Sequence, residues 1–149
     1  MITVQFPEPD FRIQNRAGRR FIFDAIRKTW LLLTEEEWVR QNMVAYLVKS
    51  KQYPAAFINL EKEILVNGLT KRFDIVVYNG HHQPWMLVEC KAPDVKLGED
   101  VLQQVLRYNL ALPVPFLVIT NGRQTLLWEK QAAGLQQRSQ LPDWNATGH

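Results

Sequence analysis

Two carboxylates and a lysine near the middle of the chain have the side-chain types that metal-assisted hydrolysis uses. Asp74 is followed, after the 14 residues 75–88, by Glu89, and Lys91 comes shortly afterwards. Carboxylate oxygens bind hard divalent cations such as magnesium. A bound cation polarises a phosphoryl group and lowers the pKa of water, while a nearby lysine holds a phosphate or assists proton transfer. These residues are therefore candidates for hydrolysis of phosphodiester bonds.

A predicted β-hairpin brings the two carboxylates together. Residues 73–78 and 85–91 are rich in β-branched and aromatic side chains, and the polar turn NGHHQP lies between them. A turn symmetric about residues 81 and 82 pairs Tyr78 with Trp85, Val76 with Leu87, and Asp74 with Glu89. It also places Asp74 and Val76 on one face of the strand, and Trp85 and Leu87 on one face of the next.

Directly opposed carboxylates are unusual in a sheet that only has to be stable. The Cβ atoms of opposed residues are roughly 4.5–5.5 Å apart, and like charges at that separation repel. A cation bound between Asp74 and Glu89 would remove the repulsion. The alternative is an ordinary surface ion pair in which Lys91 or Arg72 neutralises the carboxylates.

The composition is typical of a globular protein. The chain has 149 residues, 46% of them hydrophobic and 22% charged. No apolar run approaches the length of about 20 residues that spans a bilayer, and we expect no signal peptide and no membrane partner. The single cysteine, Cys90, excludes an internal disulfide, so we expect a cytoplasmic protein in which this thiol is a small core residue.

The positive charge is concentrated in the first thirty residues. A net charge of +3 and an isoelectric point near 9.1 favour a nucleic-acid partner without requiring one. A strand at residues 2–6 is predicted, followed by a hairpin whose loop contains Gly18. Its basic tip carries Arg16, Arg19 and Arg20, which either contact phosphates or lie in a solvated loop. Residues 24–33 are ambiguous between a short helix and a buried segment.

Periodicity predicts the elements that position the candidate site. A helix begins at Thr34, which caps it while Glu37 reaches back to the backbone, and ends near Lys51. A strand at residues 56–66 precedes the hairpin, and a second helix at residues 98–112 follows it. Residues 116–119 and 124–128 are predicted strands. The tail from residue 134 is predicted to be loose.

Several motifs, in order along residues 10 to 130, resemble the N-terminal nuclease domain of type I restriction enzyme R subunits in a stand-alone form. They are LTEEEWVRQ, EKEI, RFDIVVYN, LVECKAP, LQQVLRYNLAL and LVITNGR. The D…ExK arrangement resembles the PD-(D/E)xK nuclease superfamily. Gln104 and Tyr108 match the QxxxY motif of its RecB-like branch.

The resemblance implies roles for individual residues. Asp74 and Glu89 would be metal ligands for Mg²⁺ or Mn²⁺, and Lys91 the catalytic lysine. The acidic residue that the family carries on its first helix falls on Glu37, with Glu36 as a neighbouring candidate. Gln104 and Tyr108 would contact the nucleic-acid backbone or orient the site. The alternative is that Gln104 is a helix-edge residue and Tyr108 a core aromatic.

We therefore predict an α/β protein with a single domain, residues 1–149, and a restriction-endonuclease-like core. The core covers about residues 34–130, as a helix, a three-strand meander, a helix and a strand. An N-terminal hairpin extension covers about residues 1–33, and the loose tail about residues 134–149.

The expected function is that of a magnesium-dependent endonuclease acting on DNA in preference to RNA, in restriction or DNA processing. The sequence leaves open whether a protein partner supplies targeting and whether the protein forms an oligomer. It also leaves open the strand preference and the sequence specificity. The alternative function is a non-catalytic module that binds nucleic acid or a partner and keeps the nuclease fold. The chain has no room for a helicase motor, so ATP-driven restriction by this chain alone is not expected.

Overall fold

The computed structural model of the protein describes residues 2–66, 68–111 and 113–147. A three-stranded sheet comes first, with strands β1 (Ile13–Arg16), β2 (Arg19–Asp24) and β3 (Thr29–Leu32). Helix α1 (Glu35–Ala45) continues into a π-helical turn (Tyr46–Ser50), and a 3₁₀ turn (Ala55–Phe57) follows. The remaining elements are β4 (Ile58–Val66), β5 (Leu69–Tyr78), β6 (Pro84–Cys90), α2 (Glu99–Ala111), β7 (Phe116–Thr120), β8 (Thr125–Gln131) and β9 (Gly134–Arg138).

The larger sheet has six strands in the order β4-β5-β6-β7-β8-β9. Its neighbours are antiparallel except for β6 and β7, which are parallel and are connected through α2. A parallel pair needs such a crossover because the chain must return to the same edge of the sheet. The predicted α/β class is confirmed.

The register of the central hairpin agrees with the prediction in its middle and departs from it at the turn. Val76 pairs with Leu87 as predicted. Tyr78, however, pairs with Pro84 and not with Trp85, because the register shifts between Val77 and Tyr78. Such a bulge changes the direction of the side chains beyond it.

Two hydrophobic clusters lie on the two faces of the large sheet. One contains Val39 and Met43 of α1 and Leu47 of the π-helical turn, together with Ile75 and Val88. The other contains Val76, Leu87 and Ile119, against which Val101 and Leu102 of α2 pack. Alternate residues of β5 and β6 thus enter different clusters, so the two helices cover opposite faces.

Trp85 also belongs to the cluster on the α1 side, where it contacts the rings of Tyr53 and Phe116. The prediction that Trp85 shares a face with Leu87 is therefore wrong. The bulge near the turn, which the sequence does not mark, is the physical reason.

The N-terminal region differs from the prediction in two ways. The strand expected at residues 2–6 is reduced to a single bridge between Ile2 and Thr125. The ambiguous segment at residues 24–33 contributes β3, which makes a three-stranded sheet of the predicted hairpin. Gly18 does lie in the hairpin loop, with a φ of 80° that favours glycine.

The prediction of a loose tail is wrong for residues 134–147. Strand β9 extends the large sheet, and Leu141 is buried in the cluster on the α1 side. The Tyr53 hydroxyl donates to the carbonyl of Pro142, and the Trp144 indole donates to the carbonyl of Tyr78. These contacts attach the tail to the large sheet, although its sequence has no strand periodicity.

Across the described residues, neither helix has the length and apolar composition needed to cross a lipid bilayer.

Candidate active site

Asp74 is held by two contacts at the end of the ladder between β5 and β6. Its Oδ2 atom accepts a hydrogen bond of 2.7 Å from the backbone N–H of Cys90. Its Oδ1 atom lies 3.0 Å from the Nη2 atom of Arg40, on helix α1. Both carboxylate oxygens of Asp74 are thus held in fixed positions.

Asp74 turns towards α1 because the strands are irregular around it. Its neighbours Phe73 and Val76 pack in the same cluster although they are three positions apart, so the alternation of faces is interrupted between them. On the adjacent strand, Glu61 has a φ of 52°. The expectation that Asp74 and Val76 share a face is therefore wrong.

Glu89 lies opposite Asp74 when the register of Ile75 with Val88 is continued by one residue. Burial and, to a smaller extent, the charge of Asp74 raise the pKa of Glu89 to about 7, although the charges of Lys71 and Lys91 act in the opposite direction. The Oε1 atom of Glu89 is buried and has no hydrogen-bond partner among the described residues. A buried carboxylate oxygen without a partner is unfavourable unless a ligand or a proton compensates for it.

The two carboxylates thus avoid repulsion by different means. Asp74 is ion-paired with Arg40, whereas the raised pKa of Glu89 favours its neutral form up to about pH 7. The predicted alternative, in which Lys91 or Arg72 neutralises the pair, names the wrong cation for Asp74. The cation comes from a helix 34 residues earlier in the chain.

Lys91 follows directly after β6, and its backbone N–H donates to the carbonyl of Thr120 at 2.8 Å. The residue is partly buried, and its charge lowers the pKa of Glu89. The structure therefore brings Asp74, Glu89 and Lys91 into one region at the end of the central hairpin.

Arg40 is the centre of a buried network that sequence reasoning missed. Its side chain is only 6% exposed, and its Nη1 atom lies 2.6 Å from the Oε1 atom of Glu37 and 3.3 Å from the Oε1 atom of Glu61. Arg27 extends the network, with ion pairs to Asp24 and to Glu61. The available signal was the spacing of Arg40 at i+4 from Glu36 and i+3 from Glu37, which favours ion pairs on a helix.

Glu37 and Glu36, the two helix candidates, lie in different surroundings. Glu37 is buried in the network, where Arg40 and Gln41 donate to its carboxylate. Glu36 is 48% exposed, and its charge contributes to the raised pKa of Glu89. Glu36 thus interacts with the candidate site directly, whereas Glu37 reaches it through Arg40.

Of the two hydrogen bonds predicted to cap α1, the one made by Thr34 is confirmed and the one made by Glu37 is wrong. The Thr34 hydroxyl accepts a hydrogen bond of 3.0 Å from the backbone N–H of Glu37. The Glu37 carboxylate, however, binds Arg40 and Gln41, so its expected return to the backbone is wrong. Its ion pair with a buried guanidinium is the stronger interaction.

The carboxylates fit a hard divalent cation in number and chemistry. No group of three or more metal-binding side chains occurs in the part of the chain that the structure describes. Magnesium nevertheless binds through one or two carboxylates, with water and substrate phosphates as its other ligands. Glu89 Oε1 is buried without a partner in the described structure, and a cation would satisfy it.

Gln104 is exposed on α2, next to Gln103 and Arg107 in a groove of about 750 Å³. The side chain of Tyr108, the other half of the predicted motif, lies outside what the structure describes.

The apolar groove between residues 10–12 and α1 is about 360 Å³, and none of the candidate catalytic residues lines it.

The three arginines of the basic hairpin are exposed but do not share one face. Arg16 and Arg19 are cross-strand partners at the loop end. Arg20 instead lines a groove of about 370 Å³ with Thr34, Glu35 and Pro93. Pro93 comes two residues after Lys91, so Arg20 is on the side of the candidate site.

Residues 35–143 match the family described as the type I restriction enzyme R protein N terminus. The chain belongs to this family. The matched range contains Asp74, Glu89 and Lys91, and it leaves out the three-stranded N-terminal sheet. Membership in the restriction enzyme R family connects the chain with restriction. No curated protein sequence matched the chain significantly.

Proposed function

We propose that the protein is a metal-dependent nuclease that hydrolyses phosphodiester bonds in DNA. The observation that carries the proposal is the buried Oε1 atom of Glu89, which has no hydrogen-bond partner among the described residues and lies near Lys91 and the Asp74–Arg40 ion pair. Membership in the restriction enzyme R family supports DNA as the substrate and a reducing cytoplasm as the location.

The proposal includes the PD-(D/E)xK class. The order of α1, the strands β4 to β6, α2 and β7 agrees with the core expected for that class. Asp74 lies where β5 and β6 separate, and Glu89 and Lys91 lie at the end of β6. This arrangement supports the D…ExK interpretation of the sequence.

Asp74 and Glu89 would hold Mg²⁺ or Mn²⁺. When bound, such a cation would stabilise negative charge on the phosphate and lower the pKa of a water molecule. Asp74 contributes an oriented carboxylate because Arg40 and the Cys90 N–H fix both of its oxygens. Glu89 contributes the oxygen that has no protein partner in the described structure.

Lys91 would hold the scissile phosphate or move a proton at the attacking water. An ammonium group is a compact point charge whose pKa responds to its neighbours, which suits either role. We assign Glu37 a role through Arg40, and Glu36 is the helix carboxylate that acts on the site itself. Gln104, Tyr108 and Arg20 would contact the nucleic-acid backbone near the site.

The direct test is cleavage of labelled DNA and RNA, single-stranded and duplex, with magnesium or manganese. Glu89→Gln and Lys91→Ala are expected to abolish cleavage while the protein stays folded. Glu63→Gln, which changes an exposed glutamate on β4, is the matched control and should cleave at the wild-type rate. Wild-type cleavage by Glu89→Gln would refute the enzymatic assignment.

Metal binding has its own test, which does not depend on activity. A cation that binds only the folded protein stabilises it by about 2.7 kcal/mol at one hundred times Kd. Calorimetry at tens of millimolar magnesium should then show a rise in Tm of about 5 °C. Glu89→Gln should lose most of this rise, and an identical rise in both proteins would mean that Glu89 does not hold the metal.

A non-catalytic binding module is the second candidate function. It is favoured by the ion pair between Asp74 and Arg40, which neutralises one of the two proposed metal ligands within the protein itself. Metal-independent binding of nucleic acid, with no cleavage of any substrate in the assay above, would support this function over the first.

A further inference from the structure

The N-terminal sheet has an outer face that carries arginines and aromatic rings. Phe21 lies between its cross-strand partners Gln14 and Leu32, and Phe23 pairs with Trp30. Alternation along the strands places the following side chains on this face. The outer face consists of Arg12, Gln14, Arg16, Arg19, Phe21, Phe23, Trp30 and Leu32.

The other face of the same sheet packs against the rest of the protein. Ile22 and Asp24 alternate with Phe21 and Phe23 and are completely buried. Phe21, Phe23 and Trp30 are only half-buried. Phe21 and Trp30 therefore lie on the solvent side of the sheet, and Phe23, together with Arg12, also lines the apolar groove of about 360 Å³ against α1.

Arginine guanidinium groups lie against these rings. The Arg12 guanidinium carbon is 4.7 Å from the centroid of Phe23 and 5.3 Å from that of Trp30. The corresponding distances for Arg16 are 5.2 Å to Phe21 and 5.3 Å to Trp30. Cation–π contacts of this kind hold a guanidinium in place without neutralising it.

The charge of the outer face is uncompensated among the described residues. Among the ion pairs of the described residues, none involves Arg12, Arg16 or Arg19. Asp24 is the only acidic residue of the three strands, and it is buried on the opposite face. The face thus combines positive charge with planar groups.

We propose that the outer face is a docking surface for single-stranded DNA. Unpaired bases stack on aromatic rings and on guanidinium planes, while phosphates bind arginine. Duplex DNA keeps its bases stacked on one another and offers this face only phosphates. The inference rests on the proposed function in taking DNA as the ligand, but the surface is separate from the carboxylates and lies outside the family match at residues 35–143.

The test is binding of fluorescent oligo(dT), a duplex of the same length and single-stranded RNA, measured in EDTA so that cleavage plays no part. The Arg12→Gln, Arg16→Gln double variant changes two exposed side chains and should fold normally. It should bind oligo(dT) about tenfold more weakly, because removing a stacking or phosphate interaction reduces affinity by that order. Its log–log salt slope should fall by about 0.7 for each phosphate that the variant no longer neutralises.

Trp30→Ala and Trp30→Phe separate stacking from charge. Trp30→Ala should weaken oligo(dT) binding, whereas Trp30→Phe should retain most of it. Arg138→Gln, on β9 at the edge of the other sheet, is the charge-matched control and should bind like the wild type.

Several outcomes would overturn the proposal. One is that the wild-type protein binds duplex DNA or RNA more tightly than oligo(dT). Another is that Arg138→Gln weakens oligo(dT) binding as much as the double variant does. Glu89→Gln separates the two proposals, since it should lose cleavage and keep oligo(dT) binding. Normal oligo(dT) binding by the double variant would refute the docking surface and leave the nuclease proposal standing.

Discussion

Two sets of arginines lie on the two sides of the N-terminal sheet, and their surroundings differ in kind. Arg27 and Arg40 are on the inner side, where carboxylates contact each of them. Arg12 and Arg16 are on the outer side, where they contact aromatic rings and where Arg16 also donates to the uncharged side chain of Gln14. The inner charges are neutralised within the protein, and the outer charges remain for a ligand.

This difference teaches that the positive charge of the first forty residues has two separate uses. The inner arginines hold acidic side chains of β2, α1, β4 and β5 together, Asp74 among them. They should therefore matter for stability and for the geometry of the site. The outer arginines should matter for binding and little for folding.

Replacing Arg40 with alanine should have the largest effect on stability. Removing one partner of a buried ion pair leaves uncompensated charge and typically costs about 3–5 kcal/mol. Glu37 and Asp74 would both lose their principal cation. We expect a fall of this size in the free energy of unfolding, measured by urea denaturation.

Arg40→Lys is the matched variant for this prediction. It keeps the charge but cannot contact Glu37 and Asp74 with separate guanidinium nitrogens. It should lie between the wild type and Arg40→Ala. Equal stability of all three proteins would show that the network contributes nothing to folding.

Glu89→Gln should change how stability depends on pH. The pKa of Glu89 is raised in the folded protein from its usual 4.5 to about 7. Stability from this group is therefore fully present below pH 4.5 and is lost as pH rises through about 7. The loss is on the order of 3 kcal/mol for a difference of this size between folded and unfolded states.

Glutamine cannot ionise, so the variant should escape this loss. In EDTA, Glu89→Gln should gain stability relative to the wild type between about pH 4.5 and pH 8. Thermal unfolding across this range measures the difference. Parallel pH curves for the two proteins would contradict the raised pKa of Glu89.

The smallest effect is expected on the outer side of the sheet. An exposed cation–π contact is worth about 0.5–1 kcal/mol. Arg16→Gln should therefore lower the free energy of unfolding by less than about 1 kcal/mol, in the same urea measurement as Arg40→Ala. A decrease as large as that of Arg40→Ala would remove the distinction between the two arginine sets.

The central hairpin was predictable because its information is local. Strand composition and a polar turn are enough to pair Val76 with Leu87 and to bring Asp74 opposite Glu89. The ion pair between Arg40 and Asp74 was not predictable, because it joins a helix to a strand by tertiary packing. Helical spacing reveals only that Arg40 can reach Glu36 and Glu37.

Other errors have similar physical causes. The shift between Val77 and Tyr78 leaves no mark in composition, so strand alternation alone predicts the wrong face for Trp85. The tail has no strand periodicity, yet Leu141 and Trp144 provide buried contacts that only the assembled sheet can supply. Local patterns predict elements, and long-range contacts decide where their side chains go.

The parallel pairing of β6 with β7 has a consequence for the order in which the protein folds. A β-hairpin such as β5–β6 forms in about 1–10 μs, whereas β6 can pair with β7 only after the crossover through α2 closes a longer loop. The Cys90 N–H reaches Asp74 within the hairpin, but the Lys91 N–H must wait for Thr120 on β7. In pulsed hydrogen exchange during refolding, the Cys90 amide should become protected before the Lys91 amide.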